Sequence, residues 1–514
     1  MKMKNSMNRR EFLTRCAACT TCLAAAPLMS LTSCKTSKEA ENLKIRIIYS
    51  LHAVKQPGPD WPNVGFDFGP VMDRISTEMA RQCPDFVFES SMAKGPEEAE
   101  KILAEDAANG MDGYVVYQLN CWNRVVQPVV ASEKPVLYVD FQYGGSGGFL
   151  VYTARFLRDK TPNLAFVASS RMEDQIAAVR CFETLKKGGT VSDFIKAVER
   201  SRIKRMPAAG DLSCLADEVK TLSTEECLQR MKGSKILAVR NQEAGPADPV
   251  MGIPMEWLSF SEINEAWKAA DKDQARDVAD RWQNSATEVI GVSRETLETS
   301  AAFYLGMKDV LKKHGANAIA INCLGGFYGG HIHAYPCLGF HELNNEGLVG
   351  ACECDIRSTA TMTAVTALTQ GRPGFISDPV LDTGKRQIIY AHCVASNRVF
   401  GPQGPANPFT IMTHSEDRQG ASVRSILPTG YLTTTLEIHP DRREILFHQA
   451  KAVGNDPDDR ACRTKLCAEP LGDVEKLFTM WDVWGWHRVT FYGDLKEPVY
   501  ALAEAINWKV VEEA

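Results

Sequence analysis

The sequence predicts an α/β protein in which two open parallel sheets of the Rossmann or flavodoxin kind precede a mixed, β-rich C-terminal domain. Strand-like and helical segments alternate over residues 44–162, and a second alternating region covers 163–329. Residues 330–514 are richer in glycine, proline and threonine. Alternation of strand and helix is typical of parallel sheets. A chain of 514 residues has room for about three domains at roughly 150 residues each.

The first region supplies strand and helix candidates in turn. "LKIRIIYS" and "DFVFES" predict two strands around the helical spacing of "FGPVMDRISTEMARQCP". "GPEEAEKILAEDAANG" predicts a helix that Gly-Pro begins and Gly110 ends. The short apolar runs "DGYVVYQL" and "KPVLYVD" predict two more strands. Helix-sized connections between these runs indicate a parallel sheet.

The second and third regions differ in their patterns. "NLAFVAS", near Asn163, and "SKILAVR" predict strands that open the second region. "ETLETSAAFYLGMKDVLKKHG" predicts a long amphipathic helix that leads into the buried strand "ANAIAINCL". In the third region, "YLTTTLEIHP" and "REILFHQAKAV" predict antiparallel strands. A β-rich centre is therefore expected in the C-terminal domain.

The N-terminal 34 residues predict an export signal. Asn8-Arg9-Arg10-Glu11-Phe12-Leu13 resembles the twin-arginine motif, and Leu31-Thr32-Ser33-Cys34 resembles a lipobox with Cys34 as the acylated residue. Cys16, Cys19 and Cys22 have the opening spacing of a ferredoxin cluster, but eleven residues separate Cys22 from Cys34. We therefore expect a signal over 1–34, a polar tether over 35–43, and a lipoprotein that is periplasmic or membrane-anchored.

The amino-acid composition limits the kinds of partner that the protein is expected to bind. A net charge of −6 and a pI near 6.0 argue against a nucleic-acid surface. No stretch after the signal is long and apolar enough to cross a bilayer, so membrane association is expected through lipid alone. Cys323, Cys352, Cys354 and Cys393 lie inside apolar runs, which favours buried free thiols over disulfides.

Candidate metal ligands are concentrated between residues 323 and 392. Glu353 follows an apolar extended segment and precedes a helical pattern, where Asp355 takes the position of an N-cap. Asp378 follows a short strand and precedes proline, so a turn residue is the alternative for it. His392 ends an apolar run, where a core histidine is the alternative. Spacing alone defines no local metal motif here.

These residues resemble the L-fucose isomerase-like sugar isomerases, relatives of the L-arabinose isomerases. The resemblance rests on Ala351-Cys352-Glu353-Cys354-Asp355 after a strand, on Asp378 and on Trp484-Gly485-Trp486-His487. "YAHCVA" adds support, and the match covers the C-terminal third well and the rest in outline. The resemblance implies two α/β domains before a C-terminal domain, a homo-oligomer, and a manganese-like ion held by Glu353, Asp378 and His487.

The implied chemistry is aldose–ketose isomerisation through a cis-enediol. A divalent ion such as Mn²⁺ polarises the carbonyl of the sugar, and two carboxylates with one imidazole suit an octahedral ion. Glu353 and Asp378 are expected to act as acid and base. His392 is expected as a further ligand or sugar contact, and Trp122 and Trp486 as substrate contacts.

Two alternatives accompany this hypothesis. The first is an exported carbohydrate-binding lipoprotein that retains the fold without turnover, and three surviving ligands argue against it. The second is an exported redox enzyme, but no cofactor motif follows residue 34. The histidines of "GGHIHAYP" are expected in a loop that faces substrate or solvent, and the polar residues of "THSEDRQGASVRS" in a solvated loop.

Overall fold

The computed structural model describes residues 42–514, which form one compact unit. The predicted signal, with Cys34 and the twin arginines, lies outside the described residues. Within residues 42–514, no helix has both the length and the apolar character that a membrane span requires.

The first sheet has five parallel strands in the order β2-β1-β3-β4-β5. Its strands are β1 (Leu43–Ser50), β2 (Phe86–Ala93), β3 (Gly113–Gln118), β4 (Val136–Asp140) and β5 (Leu164–Val167). Its helices are α1 (Gly69–Gln82), α2 (Pro96–Asn109), α3 (Val126–Ala131), α4 (Ser146–Arg158), α5 (Met172–Arg180), α6 (Glu183–Lys186) and α7 (Val191–Arg205). Every residue of β3 and β4 is buried, as expected for parallel strands covered by helices on both faces. The predicted parallel α/β arrangement is confirmed here.

One strand belongs to a different sheet from the one predicted. Leu164–Val167, which the sequence placed at the start of the second region, pairs in parallel with β4 and completes the first sheet. Its four buried residues would fit the edge of either sheet, so their pattern does not identify the partner. The preceding helix α4 makes the crossover that returns the chain to the first sheet.

The second sheet has the order β11-β10-β6-β8-β7, and only its hairpin strand β7 is antiparallel. Its strands are β6 (Ile236–Arg240), β7 (Gly245–Val250), β8 (Ile253–Ser259), β10 (Ala318–Ile321) and β11 (Val349–Ala351). The helices of this region are α8 (Thr224–Gly233), α9 (Phe260–Ala269), α10 (Lys272–Ser285), α11 (Arg294–His314), α12 (Cys323–Tyr328) and α13 (Cys337–Asn345). Because β11 pairs with β10, this sheet extends beyond residue 330.

The third sheet is β-rich as predicted, with the order β16-β19-β12-β13-β18-β17-β20. Its strands are β12 (Phe375–Asp382), β13 (Gln387–His392), β16 (Leu432–His439), β17 (Glu444–Asn455), β18 (Thr464–Pro470), β19 (Arg488–Tyr492) and β20 (Lys509–Glu512). The predicted antiparallel pair is confirmed as β16 and β17, and this pairing closes six strands into a barrel.

The remaining elements surround this barrel. They are α14 (Ile356–Leu368), α15 (Trp481–Trp484), α16 (Lys496–Ala505) and 3₁₀ turns at Pro440–Arg442 and Lys476–Phe478. A small sheet of β15 (Ser422–Ser425), β14 (Phe409–Met412) and β9 (Glu288–Ile290) joins the second and third regions. Division of the chain into three domains stays a prediction.

Candidate active site

Strand register places three of the candidate side chains side by side. β12 lies between β13 and β19, with Ser377 opposite Arg488 and Asp378 opposite Ala391. His487 immediately precedes β19, and His392 is the last residue of β13. Asp378, His392 and His487 therefore meet at one end of three neighbouring strands.

Glu353 reaches the same point from the second sheet. It follows β11, at the carboxyl edge where open sheets commonly bind ligands. Glu353 and Cys354 have φ of 58° and 51°, a left-handed conformation that non-glycine residues rarely adopt. The Glu353 N–H donates to Cys323 Sγ at 3.4 Å, and Arg240 donates to the Cys354 carbonyl at 2.8 Å. These bonds hold a strained turn that directs Glu353 toward the strand ends.

The four side chains form one cluster. Ligand atoms of Glu353, Asp378, His392 and His487 all lie within 4.8 Å of one another. His487 Nε2 lies 3.1 Å from Asp378 Oδ1 and 3.4 Å from Glu353 Oε2, and His392 Nε2 lies 4.0 Å from Glu353 Oε1. Buried Asp378 Oδ1 contacts His487 Nε2, and buried His392 Nε2 has no hydrogen-bond partner among residues 42–514. Such unpaired buried atoms are costly unless a bound group completes them.

Asp355 fixes the orientation of His487. One Asp355 oxygen accepts from the Ser358 N–H at 3.0 Å, which confirms the predicted N-cap of α14. The other accepts from His487 Nδ1 at 2.8 Å, so Nε2 faces Glu353 and Asp378. Burial lowers the pKa of His487, but hydrogen bonds to Asp355, Asp378 and Glu353 outweigh it and hold that pKa well above 6.5. No pattern in the sequence indicates this second role of Asp355.

The donor set fits a divalent cation. A carboxylate that holds the far nitrogen of a ligating histidine is common around protein-bound metals, because it fixes the ring and its tautomer. Asp378 Oδ1, the oriented His487 Nε2 and the Glu353 carboxylate all face the same space. His392 differs, since its Nδ1 accepts the Cys393 N–H at 2.8 Å. Because Nδ1 accepts this bond, its proton lies on Nε2, which presents a donor to the cluster.

A cavity of about 510 Å³, here called the site cavity, opens onto this cluster. Trp61, Trp122 and Trp486 form its aromatic wall, with Trp486 centred 5.1 Å from Trp61 and 5.7 Å from Trp122. Trp486 donates to the Pro379 carbonyl at 3.0 Å, and Trp122 is 48% exposed. The structure thus places both tryptophans singled out from the sequence beside the candidate ligands.

The loop that carries Trp122 is held by buried amides. Asn120 donates to the Trp61 carbonyl at 2.7 Å, and Gln118 donates to Asn123 Oδ1 at 2.6 Å. Gly147, at the start of α4, packs against Trp486 so closely that a Cβ would lie 2.8 Å from its ring. These contacts fix the aromatic wall from the first sheet, whereas the candidate ligands come from the other two.

One wall of the site cavity carries carboxyl groups that no sequence pattern indicates. Asp60 and Glu416 line the site cavity together with Tyr328, whose hydroxyl donates to Glu416 Oε2 at 2.9 Å. Burial, with the nearby charges of Glu353 and Asp60, raises the pKa of Glu416 to about 8 against opposing effects of His414 and Tyr328. The predicted solvated loop at "THSEDRQ" is wrong, because His414 is buried and Glu416 faces the cavity.

The structure also shows where Asp378 and the loop histidines His331 and His333 lie. Asp378 is 4% exposed within β12, so the turn alternative for it is wrong. His331 and His333 are exposed, and His331 stacks on Phe260. Neither histidine belongs to the four-residue cluster, which is the one metal-like group found within residues 42–514.

A buried ion pair supports the main chain behind His487. Arg488 donates to Glu513 and to the His487 carbonyl, and both charged side chains are fully buried. His448 also bonds to Glu513 at 2.8 Å and to the Tyr390 hydroxyl at 2.6 Å. Burial raises the pKa of Glu513, but Arg488 and His448 lower it more, to about 2. The Arg488–Glu513 ion pair therefore anchors the start of β19, directly after His487.

No family model matches the sequence. The chain is 25% identical over 260 residues to a sulfoquinovose isomerase of Priestia aryabhattai, covering 49% of this chain and 56% of that protein. It is 23% identical over 282 residues to a sulfoquinovose isomerase of Clostridium sp. (strain MSTE9), covering 50% and 57%. The chain thus spans only somewhat more than half the length of these relatives.

Among solved structures, a LacI-family regulatory protein from Chloroflexus aggregans matches 54% of this chain and 76% of its own, at 11% identity and a TM-score of 0.16. A similarity of that size supports no conclusion about fold or function.

Proposed function

We propose that this chain is a metal-dependent aldose–ketose isomerase that works through a cis-enediol of the sugar. The observation that carries the proposal is a cluster of four side chains whose ligand atoms lie within 4.8 Å of one another, Glu353, Asp378, His392 and His487. All of them except His392 line the aromatic-walled cavity. The similarity to sulfoquinovose isomerases supports a sugar isomerase in general. Resemblance of the same residues to L-fucose isomerase-like enzymes supports this finer assignment.

Glu353, Asp378 and His487 would hold a divalent ion such as Mn²⁺. When bound, the ion would polarise the carbonyl of the sugar and stabilise negative charge that develops on its oxygens. Asp355 keeps the His487 ring in the orientation that directs Nε2 toward this space. Asp378 Oδ1 lies 3.1 Å from His487 Nε2, so an ion bound between these two atoms would replace their direct contact.

Proton transfer between C1 and C2 would use the carboxylates of Glu353 and Asp378. One removes the proton from the carbon beside the carbonyl, and the proton returns at the neighbouring carbon. His392 would donate its Nε2–H to a sugar oxygen, which completes an otherwise unpaired buried donor. Trp122 and Trp486 would pack against the sugar ring and exclude water from the reacting carbons.

The cellular context is also a proposal. The twin-arginine motif and the lipobox favour export of the folded chain and acylation at Cys34. We place the protein in the periplasm or on a membrane through this lipid, as a homo-oligomer. Twelve cysteines of the described residues are free thiols, which is compatible with folding before export.

Deuterium exchange tests the reaction directly. Protein supplied with Mn²⁺ in D₂O should incorporate deuterium at the carbon beside the carbonyl of at least one aldose, followed by proton NMR. Glu353→Gln should abolish exchange while the unfolding midpoint stays within a few degrees. Glu298→Gln, which removes a half-buried carboxylate of α11 that pairs with Arg294, is the matched control and should retain full exchange.

The same experiment distinguishes an isomerase from a protein that only binds carbohydrate. A carbohydrate-binding lipoprotein without turnover would bind a sugar but exchange no deuterium with any aldose in the panel. Retained exchange in Glu353→Gln would contradict the assigned acid–base role.

A further inference from the structure

Two buried cysteines lie in contact behind Glu353. Cys323 Sγ lies 3.0 Å from Cys352 Sγ, and each residue is at most 3% exposed. Cys323 comes two residues after β10, and Cys352 directly follows β11, which is the parallel neighbour of β10 in the second sheet. A disulfide bond is about 2.05 Å long, so an approach of about 1 Å would join the two sulfurs. Pairing of these strands therefore brings the two thiols within reach of a covalent bond.

The pair is a dithiol and not part of a metal site. Within residues 42–514, one group of ligand atoms converges as a metal site would require, and that group contains no cysteine. Structural zinc sites use four ligands, mostly cysteine and histidine. Two thiols in contact without further ligands can instead be oxidised to a disulfide. Oxidation is therefore the chemistry that this pair supports.

The pair is coupled to Glu353 through the main chain. Cys352 directly precedes Glu353, and the Glu353 N–H donates to Cys323 Sγ at 3.4 Å. Glu353 has a left-handed φ of 58°, and its Oε2 lies 3.4 Å from His487 Nε2. Because adjacent residues share a rigid peptide plane, a movement of Cys352 toward Cys323 also moves Glu353. The state of the two thiols therefore affects the position of a candidate metal ligand.

The site cavity gives a small oxidant a route to this pair. Leu324 and Gly325, which follow Cys323, line the cavity, and so does Glu353, which follows Cys352. Residues 325–330 contain four glycines, whose backbone has more conformational freedom than that of other residues. Local opening of this glycine-rich segment would admit hydrogen peroxide while excluding a protein oxidant.

We propose that Cys323 and Cys352 form a reversible disulfide that displaces Glu353 from the cluster, with hydrogen peroxide as the oxidant. One sulfur attacks a peroxide oxygen and the O–O bond breaks, which yields a sulfenic acid and one water. The other sulfur attacks the sulfenic sulfur, the S–O bond breaks, and a second water leaves. The two thiols lose two protons and two electrons, and the peroxide is reduced to two waters. A loss of metal affinity would follow, and this consequence alone rests on the proposed function.

Peroxide treatment of metal-free protein, stopped with catalase, tests the proposal. Peptide mapping should recover Cys323 and Cys352 in one linked species that dithiothreitol separates. A crystal structure of the oxidised, metal-free protein should show the Glu353 carboxylate moved from His487 by about 1 Å or more. Calorimetry should show Mn²⁺ affinity weakened by about 10-fold or more and restored by dithiothreitol, because metal–ligand distances tolerate changes of only about 0.2 Å.

Two variants serve as controls. Cys352→Ala retains Cys323 as the acceptor of the Glu353 N–H but cannot form the disulfide, so peroxide should leave its own Mn²⁺ affinity unchanged. Cys227→Ala removes a buried thiol of α8 and should respond to peroxide as wild type does.

Three results would overturn the proposal. They are absence of the linked peptide, an unmoved Glu353 in oxidised crystals, and an equal loss of Mn²⁺ affinity in peroxide-treated Cys352→Ala. If reduced wild-type protein binds no Mn²⁺, the proposed metal-dependent function fails instead. The peptide map and the oxidised crystal structure then still decide whether the disulfide forms and moves Glu353.

Discussion

Two cavities of similar size lie at carboxyl edges of the parallel sheets, and they differ in how their polar groups are satisfied. The site cavity, of about 510 Å³, receives Glu353 from the second sheet. The first-sheet cavity, of about 470 Å³, lies beside Asp140 at the end of β4. Both positions are where open α/β sheets bind ligands. Size and topology therefore do not distinguish the two cavities.

Hydrogen-bond satisfaction does distinguish them. In the first-sheet cavity, both Asp140 oxygens accept from Ser146 Oγ at 3.0 Å, and Asp458 binds the Arg460 guanidinium. Beside the site cavity, buried His392 Nε2 has no partner among residues 42–514, and Asp378 Oδ1 contacts His487, another candidate ligand. Unpaired polar atoms that converge on one space identify a functional site better than volume does.

The largest effect is expected from Asp378→Asn. Loss of one ligand and one acid–base group should reduce deuterium exchange by at least about 1,000-fold and weaken Mn²⁺ binding measured by calorimetry. Asp140→Asn is the matched control, because it also changes a buried aspartate beside a cavity. Equal losses of exchange in the two variants would show that the two cavities do not differ in function.

The next effect concerns the free energy of unfolding and is expected at the buried Arg488–Glu513 ion pair. Glu513 faces Arg488 and His448, with Tyr390 next to His448, and its folded pKa of about 2 lies below the ordinary 4.5. A depressed acid pKa stabilises the fold above about pH 4.5, and this contribution disappears as the pH falls toward 2. Glu513→Gln should therefore cost about 3 kcal/mol in urea unfolding at pH 7 and reduce the pH dependence between 5 and 2.

The neighbouring Glu512 provides the control for that experiment. Its side chain is 45% exposed and pairs with Lys496 at the surface. Glu512→Gln should leave the unfolding free energy within about 0.5 kcal/mol of wild type. A similar loss of unfolding free energy in both variants would show that burial of the Glu513 ion pair does not account for its stabilising effect.

A smaller effect is expected at the aromatic wall. Trp122→Ala should raise KM by about 3- to 10-fold with little change in kcat, because a half-exposed ring contributes to binding and not to proton transfer. Trp122→Phe should recover most of the affinity. A fall in kcat without a change in KM would place Trp122 closer to the reacting carbons than proposed.

The smallest effect is expected in the first-sheet cavity. Burial raises the pKa of Asp140 to about 8, against the opposing hydrogen bond from Ser146. Replacement by Asn keeps the shape, so Asp140→Asn should leave exchange kinetics within about 3-fold of wild type. A larger change in exchange kinetics would indicate that this cavity also contributes to turnover.

Local patterns predicted most of the elements. β1 and β2 form at the apolar runs that predict them, and α2 and α11 end at the left-handed glycines Gly110 and Gly315. The sheet that receives Leu164–Val167 was not predictable, because a buried strand of four residues fits either edge. Nor did the sequence show that β11, beyond residue 330, pairs with β10.

Some residues of the candidate site could also be predicted from the sequence, and others could not. Glu353, Asp378 and His487 were singled out from a motif resemblance, and strand register then brings them together. Asp60 and Glu416 had no such signal, since they come from polar loops far apart in sequence. A loop's polar composition predicts exposure, and only tertiary packing shows which side chain faces a cavity.

Anomalous diffraction from crystals soaked in Mn²⁺ is the most direct test of the proposed metal centre. The expected result is one strong manganese peak within coordination distance of Glu353, Asp378 and His487, and its absence in Asp378→Asn crystals. A peak that persists in that variant, or a strong peak in the first-sheet cavity with none among these three residues, would contradict the assignment.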